Sequence, residues 1–190
     1  SSVAAITIEE APEVIAHPAN QTICEDGTTT FTVNAGDTES PVYQWQVNRN
    51  DGAGYVDLVN DSEHANVTTA TLTVQNTPLA ANGYLYRARI TSSATCTATA
   101  FSNAAVLTVQ EKPVIDVQPV AQTLCEGSTI FLSVTAHGTG LTYQWFRDGA
   151  SLGAASATAT TLTITNANAS HAGDYTVVVR GTCDATGVTS

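Results

Sequence analysis

The sequence predicts an all-β chain of two tandem β-sandwiches, on three observations. Threonine is about one residue in six, valine is common and methionine is absent. Side chains branched at Cβ are stiff at χ1 and suit a pleated surface. Second, the chain repeats itself at an offset of about 100 residues, shortening to about 90. Third, each repeated segment is short, alternates in polarity and is bounded by Gly, Asn, Asp or Pro, whereas no stretch shows a helical period.

The repeat runs in order along both halves. Pro18-Ala-Asn-Gln-Thr-Ile-Cys24-Glu25 matches Pro119-Val-Ala-Gln-Thr-Leu-Cys125-Glu126. Phe31-Thr-Val33 then pairs with Phe131-Leu-Ser-Val134, and Tyr43-Gln44-Trp45 with Tyr143-Gln144-Trp145. Ala70-Thr-Leu72-Thr-Val74 answers Thr160-Thr-Leu162-Thr-Ile164. Asn82-Gly83-Tyr84-Leu85-Tyr86 answers the shorter Ala172-Gly173-Asp174-Tyr175. Trp45, Trp145, Val33 and Val134 are expected in the cores. Val109-Gln-Glu-Lys-Pro113 reads as a short, Pro-stiffened linker. Strands at this spacing define a sandwich.

These motifs resemble the immunoglobulin fold. The Tyr-Gln-Trp strand, the Leu-containing fifth strand and Ala-Gly-Asp-Tyr before the sixth are similar to its intermediate type. Cys24-Glu25, Cys125-Glu126 and Gly181-Thr-Cys183 resemble tandem repeats of large secreted surface proteins of gliding, Bacteroidota-type bacteria. The resemblance implies that Tyr86 and Tyr175 are tyrosine-corner residues bonded to upstream backbone. It also implies extracellular localisation.

The resemblance places Val33 opposite Ala88 and Val134 opposite Val177, where antibody domains carry their disulfide. The four cysteines lie elsewhere, and an even count in a chain of this kind points to disulfides. One reading pairs Cys24 with Cys96 and Cys125 with Cys183, within repeats. In strict immunoglobulin topology, however, those positions lie at opposite ends of a sandwich, roughly 25–30 Å apart, against the about 6 Å between Cα atoms that a disulfide needs. A cross-domain Cys24–Cys183 bridge is favoured, with Cys125 and Cys96 reaching neighbouring repeats.

The ends fall out of phase with the repeat. Ser1-Ser-Val-Ala-Ala-Ile-Thr-Ile-Glu-Glu10 aligns with Ser102-Asn-Ala-Ala-Val-Leu-Thr-Val-Gln-Glu111, the last strand of the first repeat. The second repeat reaches Ser190 without such a strand. The expected organisation is an N-terminal donor-type strand over residues 1–10, a complete domain over 11–110 and a domain lacking its last strand over 111–190. Val3, Ala4, Ile6 and Ile8 form the candidate assembly strand, since an open sandwich edge invites strand addition.

Charge narrows the function. The net charge is −11, with Lys112 the single lysine. Nucleic-acid binding requires clustered cations, and anionic membranes repel such a chain. No apolar stretch is long enough to span a bilayer. Catalysis needs a nucleophile with an oriented base, and His17, His64, His137 and His171 read as exposed residues without repeated partners. Asn50-Asp51-Gly52-Ala53-Gly54 with Asp57 is the best calcium candidate, but Asp-Gly there reads as a hairpin turn. The sequence predicts no enzyme, no cofactor and no metal. It predicts a structural repeat of an extracellular fibre or adhesin stalk whose partner is itself. The alternative is an accessory module for a glycan or surface receptor, using Tyr55, Tyr84 or Phe101.

Overall fold

Alternation along each strand decides which side chains meet between the sheets. In the strand Leu85–Ser92, Tyr86, Ala88 and Ile90 are buried while Arg87 and Arg89 lie on the other face, as the two-residue period requires. The computed structural model describes residues 11–92, 98–153 and 159–190. The chain divides into two compact units, the first reaching Val109 and the second running from Gln110 to Ser190.

The first unit contains β1 (Gln21–Cys24), β2 (Thr29–Thr32), β3 (Pro41–Asn48), β4 (Tyr55–Asp57), β5 (His64–Ala65), β6 (Thr71–Val74), β7 (Leu85–Ser92), β8 (Thr99–Phe101) and β9 (Ala105–Gln110). One sheet has the order β1-β9-β7-β3-β4, with β8 also on β7, and the other has the order β2-β6-β5. Phe31, Trp45, Leu72, Ile90 and Leu107 pack between them. Val33 and Ala88 are buried at 2% and 0% exposure, so apolar contact occupies the position of the antibody-type disulfide. The Trp45 indole donates to Thr69 O at 2.9 Å, satisfying its only polar group.

The second unit contains β10 (Val114–Val117), β11 (Ile130–Ser133), β12 (Thr135–His137), β13 (Thr142–Arg147), β14 (Ala150–Ser151), β15 (Thr161–Ile164), β16 (Tyr175–Gly181) and β17 (Asp184–Thr189). β11 pairs with β15, β10 with β12, and the remaining sheet runs β14-β13-β16-β17. Leu132, Val134, Trp145, Leu162, Val177 and Val179 form its core. Trp145 donates to Ala159 O at 3.0 Å, repeating the Trp45 arrangement. Asp148 and Gly149, both at positive φ, turn β13 into β14, as an Asp-Gly hairpin does. Among the described residues, no helix is long and apolar enough to cross a membrane.

The structure corrects the sequence reading at four places. Tyr175 is a corner residue, its hydroxyl donating to His171 O at 2.7 Å. Tyr86 is not: it stacks on Phe31 at 4.9 Å, and its hydroxyl lies 3.4 Å from His64 Nε2. Tyr86 and Tyr175 hold the same register, each two residues before the partner of the core tryptophan, so the difference lies in the side chain that reaches the hydroxyl and not in the strand. His64 is 4% exposed, not a surface residue. Phe131 is 52% exposed, whereas Phe31 is fully buried. Phe31 pairs with Leu72 and Leu132 pairs with Leu162, so Leu132 is the counterpart of Phe31. Finally, Cys183 is disulfide-bonded while Cys125 is an exposed free thiol, which excludes the Cys125–Cys183 bridge. Cys24 is also disulfide-bonded; Cys96 lies outside the described residues.

Candidate functional site

The two units differ most where β9 lies. In the first unit Ser102 bonds with Ala88: each backbone N–H is satisfied, Ala88 by the Ser102 hydroxyl and Ser102 by the Ala88 carbonyl, both at 2.9 Å. The chain then enters β9, where Ala105, Leu107 and Val109 turn into the core at 0%, 0% and 4% exposure. β9 lies between β7 and β1 in the sheet.

The second unit repeats the first half of this arrangement. Val177 N–H donates to Ser190 Oγ at 2.9 Å and Ser190 N–H to Val177 O at 3.0 Å. Ser190 is thus the counterpart of Ser102, and the second unit has no counterpart of β9 among the described residues. Three features accompany this difference. Gln122–Cys125, the counterpart of β1, forms no strand. Leu124 is 46% exposed, although its counterpart Ile23 packs against the first core. A groove of about 610 Å³ opens there, lined by Leu124, Cys125, Ile130, Leu132, His171 and Tyr175 among others. Ile130 and Leu132 give it an apolar floor, as a site for an added strand requires.

The candidate assembly residues Val3, Ala4, Ile6 and Ile8 lie outside the described residues. Their sequence counterparts are Ala104, Ala105, Leu107 and Val109, so Ala4, Ile6 and Ile8 match the three β9 side chains that are buried.

The other candidates occupy structural positions. Asp51 Oδ1 accepts from Ala53 N–H within the β3–β4 turn, and Asp57 is bound by Gln46 and Arg89. Among the described residues, no group of three His, Cys, Asp or Glu side chains is arranged to hold a metal ion. His64 Nδ1 lies 3.1 Å from Asp61 Oδ1. Desolvation pushes the Asp61 carboxyl up, but the Glu63 and His64 amides and the His64 ring outweigh it and lower its pKa. Burial raises the Tyr86 phenol far above its ordinary range. Asp61 precedes His64 by three residues, the one sequence signal that could have marked this buried pair. Of the surface aromatics, Tyr84 packs against the first core, while Tyr55 and Phe101 flank Arg87, whose guanidinium carbon lies 3.8 Å and 4.4 Å from their ring centres. Phe131, which the repeat aligned with the buried Phe31, adds an exposed ring. Its three-residue spacing to Val134 puts the two on opposite faces and was the legible sign.

Comparison with known proteins agrees with this architecture. The model of an immunoglobulin domain matches residues 112–180. That of a domain of unknown function, DUF8696, matches residues 14–111, more than half of the chain. No curated protein matches the sequence. Among solved structures, the I-band fragment I67–I69 of titin superposes with a TM-score of 0.70 at 16% identity, covering 96% of this chain and 64% of the fragment. Sidekick-1 immunoglobulin domains 1–5 give 0.62 at 21% identity, covering 97% and 38%. A chain of the complex of Dpr11 IG1 bound to DIP-gamma IG+IG2 gives 0.62 at 15% identity, covering 94% and 95%. The chain therefore spans less than two thirds of the titin and Sidekick-1 fragments, and these likenesses concern the fold. Two immunoglobulin-like sandwiches in tandem are what sequence, structure and comparison have in common, and through its first unit the chain belongs to the DUF8696 family.

Proposed function

We propose that this chain is a structural repeat of an extracellular fibre or adhesin stalk, of the bacterial surface type that its motifs resemble, and that it assembles head to tail. The observation that carries this reading is the open groove of the second unit, which occupies the lane that β9 fills in the first. A strand of the β9 pattern closes it, and Val3, Ala4, Ile6 and Ile8 of the next copy supply that strand. Ala4, Ile6 and Ile8 enter the core as Ala105, Leu107 and Val109 do. Burying each isoleucine contributes about 1.5–3 kcal/mol before main-chain bonds are counted. Because donor and acceptor are different surfaces, the contact is heterologous and propagates as an open line.

Cysteine use is consistent with such an array. The favoured bridge joins Cys24 to Cys183, both of which are half-cystines. Cys125, the counterpart of Cys24, is a free thiol at the rim of the groove and is assigned to Cys96 of an adjoining repeat.

Light scattering coupled to size exclusion, over a range of concentrations, tests the assembly. The intact chain is expected to form a ladder of oligomers, and Ile6→Asp is expected to leave monomers. A clean monomer of the intact chain at high concentration would overturn donor-strand assembly. Non-reducing peptide mapping tests the bridge: a Cys24–Cys183 peptide is expected, and a Cys24–Cys96 peptide excludes the pairing. A glycan- or ligand-binding module is the second reading, supported by the exposed rings of Phe101 and Phe131.

A further inference from the structure

On the outer face of the first unit's larger sheet, an arginine is held by aromatic rings and not by a carboxylate. Tyr55 comes from β4 and Phe101 from β8, strands on opposite sides of β7. Arg87 lies between their side chains, with its guanidinium carbon 3.8 Å from the Tyr55 ring centre and 4.4 Å from that of Phe101. Its Nε donates to Gln46 Oε1 at 2.8 Å. Gln46, 7% exposed, donates in turn to Asp57 Oδ1 at 2.7 Å. The second Asp57 oxygen takes Arg89 Nη2 at 3.0 Å. Asp57 thus neutralises Arg89, and the Gln46 amide stands between Asp57 and Arg87.

Arg87 is left with both terminal nitrogens unpartnered among the described residues. Stacking against rings orients the guanidinium plane, and the Gln46 bond fixes its rotation. This reduces the side-chain entropy that an exposed arginine normally loses on binding. The two terminal nitrogens form a two-pronged donor of the spacing that a carboxylate accepts.

We propose that this face binds a glutamate or aspartate side chain on an acidic segment of a partner protein, with Arg87 as the fork. The charge balance selects this ligand. Within a chain of net charge −11, the local group of Arg87, Arg89 and Asp57 leaves one positive charge. One carboxylate cancels it, whereas a dianionic phosphate or a sulfated chain meets repulsion from Asp57 that no further cation offsets. The site is separate from the groove of the second unit and does not depend on it.

The test is a titration of the full chain with a hexaglutamate peptide at low salt, followed by amide chemical shifts and calorimetry. Shifts should concentrate at Tyr55, Arg87 and Phe101. Arg87→Lys keeps the charge but loses the fork, and should weaken binding about 10-fold or more. Phe101→Leu, which removes one wall, should weaken it about 3-fold. Arg49→Gln, outside the stack, should change it less than about 2-fold. Thermal melts check that each variant folds, and Arg87→Gln stands in if the lysine variant does not. Unchanged affinity in Arg87→Lys would overturn the fork. Absence of shifts at the stack, or tighter binding of inorganic sulfate than of the peptide, would overturn the assignment to a carboxylate.

Discussion

The two units share a tryptophan, a sheet order and a hairpin logic, yet the first contains β9 and the second has no counterpart of it among the described residues. In the first, β9 inserts Ala105, Leu107 and Val109 and thereby gives β1 a neighbour. In the second, the same segment before the first turn has no strand beside it among the described residues, and Leu124 stays half in solvent. A single strand accounts for both differences, because a sheet lane supplies hydrogen bonds to two neighbours and side chains to the core together.

The largest contrast should appear between Phe31 and Phe131, which the repeat seemed to equate. Phe31→Ala removes a fully buried ring and should cost about 3–5 kcal/mol, measured by denaturant unfolding. Phe131→Ala should stay within about 0.5 kcal/mol. Equal costs would mean that the two strands share a register after all.

Next is the lane itself. Leu107→Ala should destabilise the first unit by about 2–5 kcal/mol and raise amide exchange in β1 as well as β9, making the first unit behave like the second. If β1 keeps its protection, the strand order of the first unit does not explain the irregular segment of the second.

Tyr175→Phe should cost about 0.5–1.5 kcal/mol through loss of the bond to His171 O. Exchange of the amides around residues 169–175 reports it locally. Tyr86→Phe leaves the corresponding turn of the first unit unchanged, because its hydroxyl faces His64.

The smallest effect concerns acid. The folded pKa of Asp61 is depressed, so its contribution is present above the unfolded value of about 3.9 and is lost as pH falls through the folded value. Stability of the first unit should decline below about pH 4, and Asp61→Asn should flatten that decline in a pH series of melts. An identical acid limb in both proteins would remove Asp61 from the account.

Much of this was legible in the residues. Threonine and valine at alternate positions, Asp-Gly at a turn and Tyr-Gln-Trp in each half gave the sandwich and both buried tryptophans, since these depend on local period and turn chemistry. The alignment of residues 1–10 with 102–111 carries the donor-strand proposal, and residues 1–10 lie outside the described residues. The register of Phe131, the burial of His64 and the bond made by Tyr86 were not read correctly. Each turns on a one-residue offset or a side chain arriving from another strand, and a one-residue offset reverses the face of every side chain that follows it.

The sequence by itself determined the strands and the tandem repeat, because period and composition act locally. Only the tertiary structure decided which residues share a face: the stack of Tyr55, Arg87 and Phe101, the carboxylate left to Arg89, and the groove beside Tyr175. Those juxtapositions come from strands paired far apart in the chain, and pairing register is fixed by the packing of two sheets and by no neighbour in sequence.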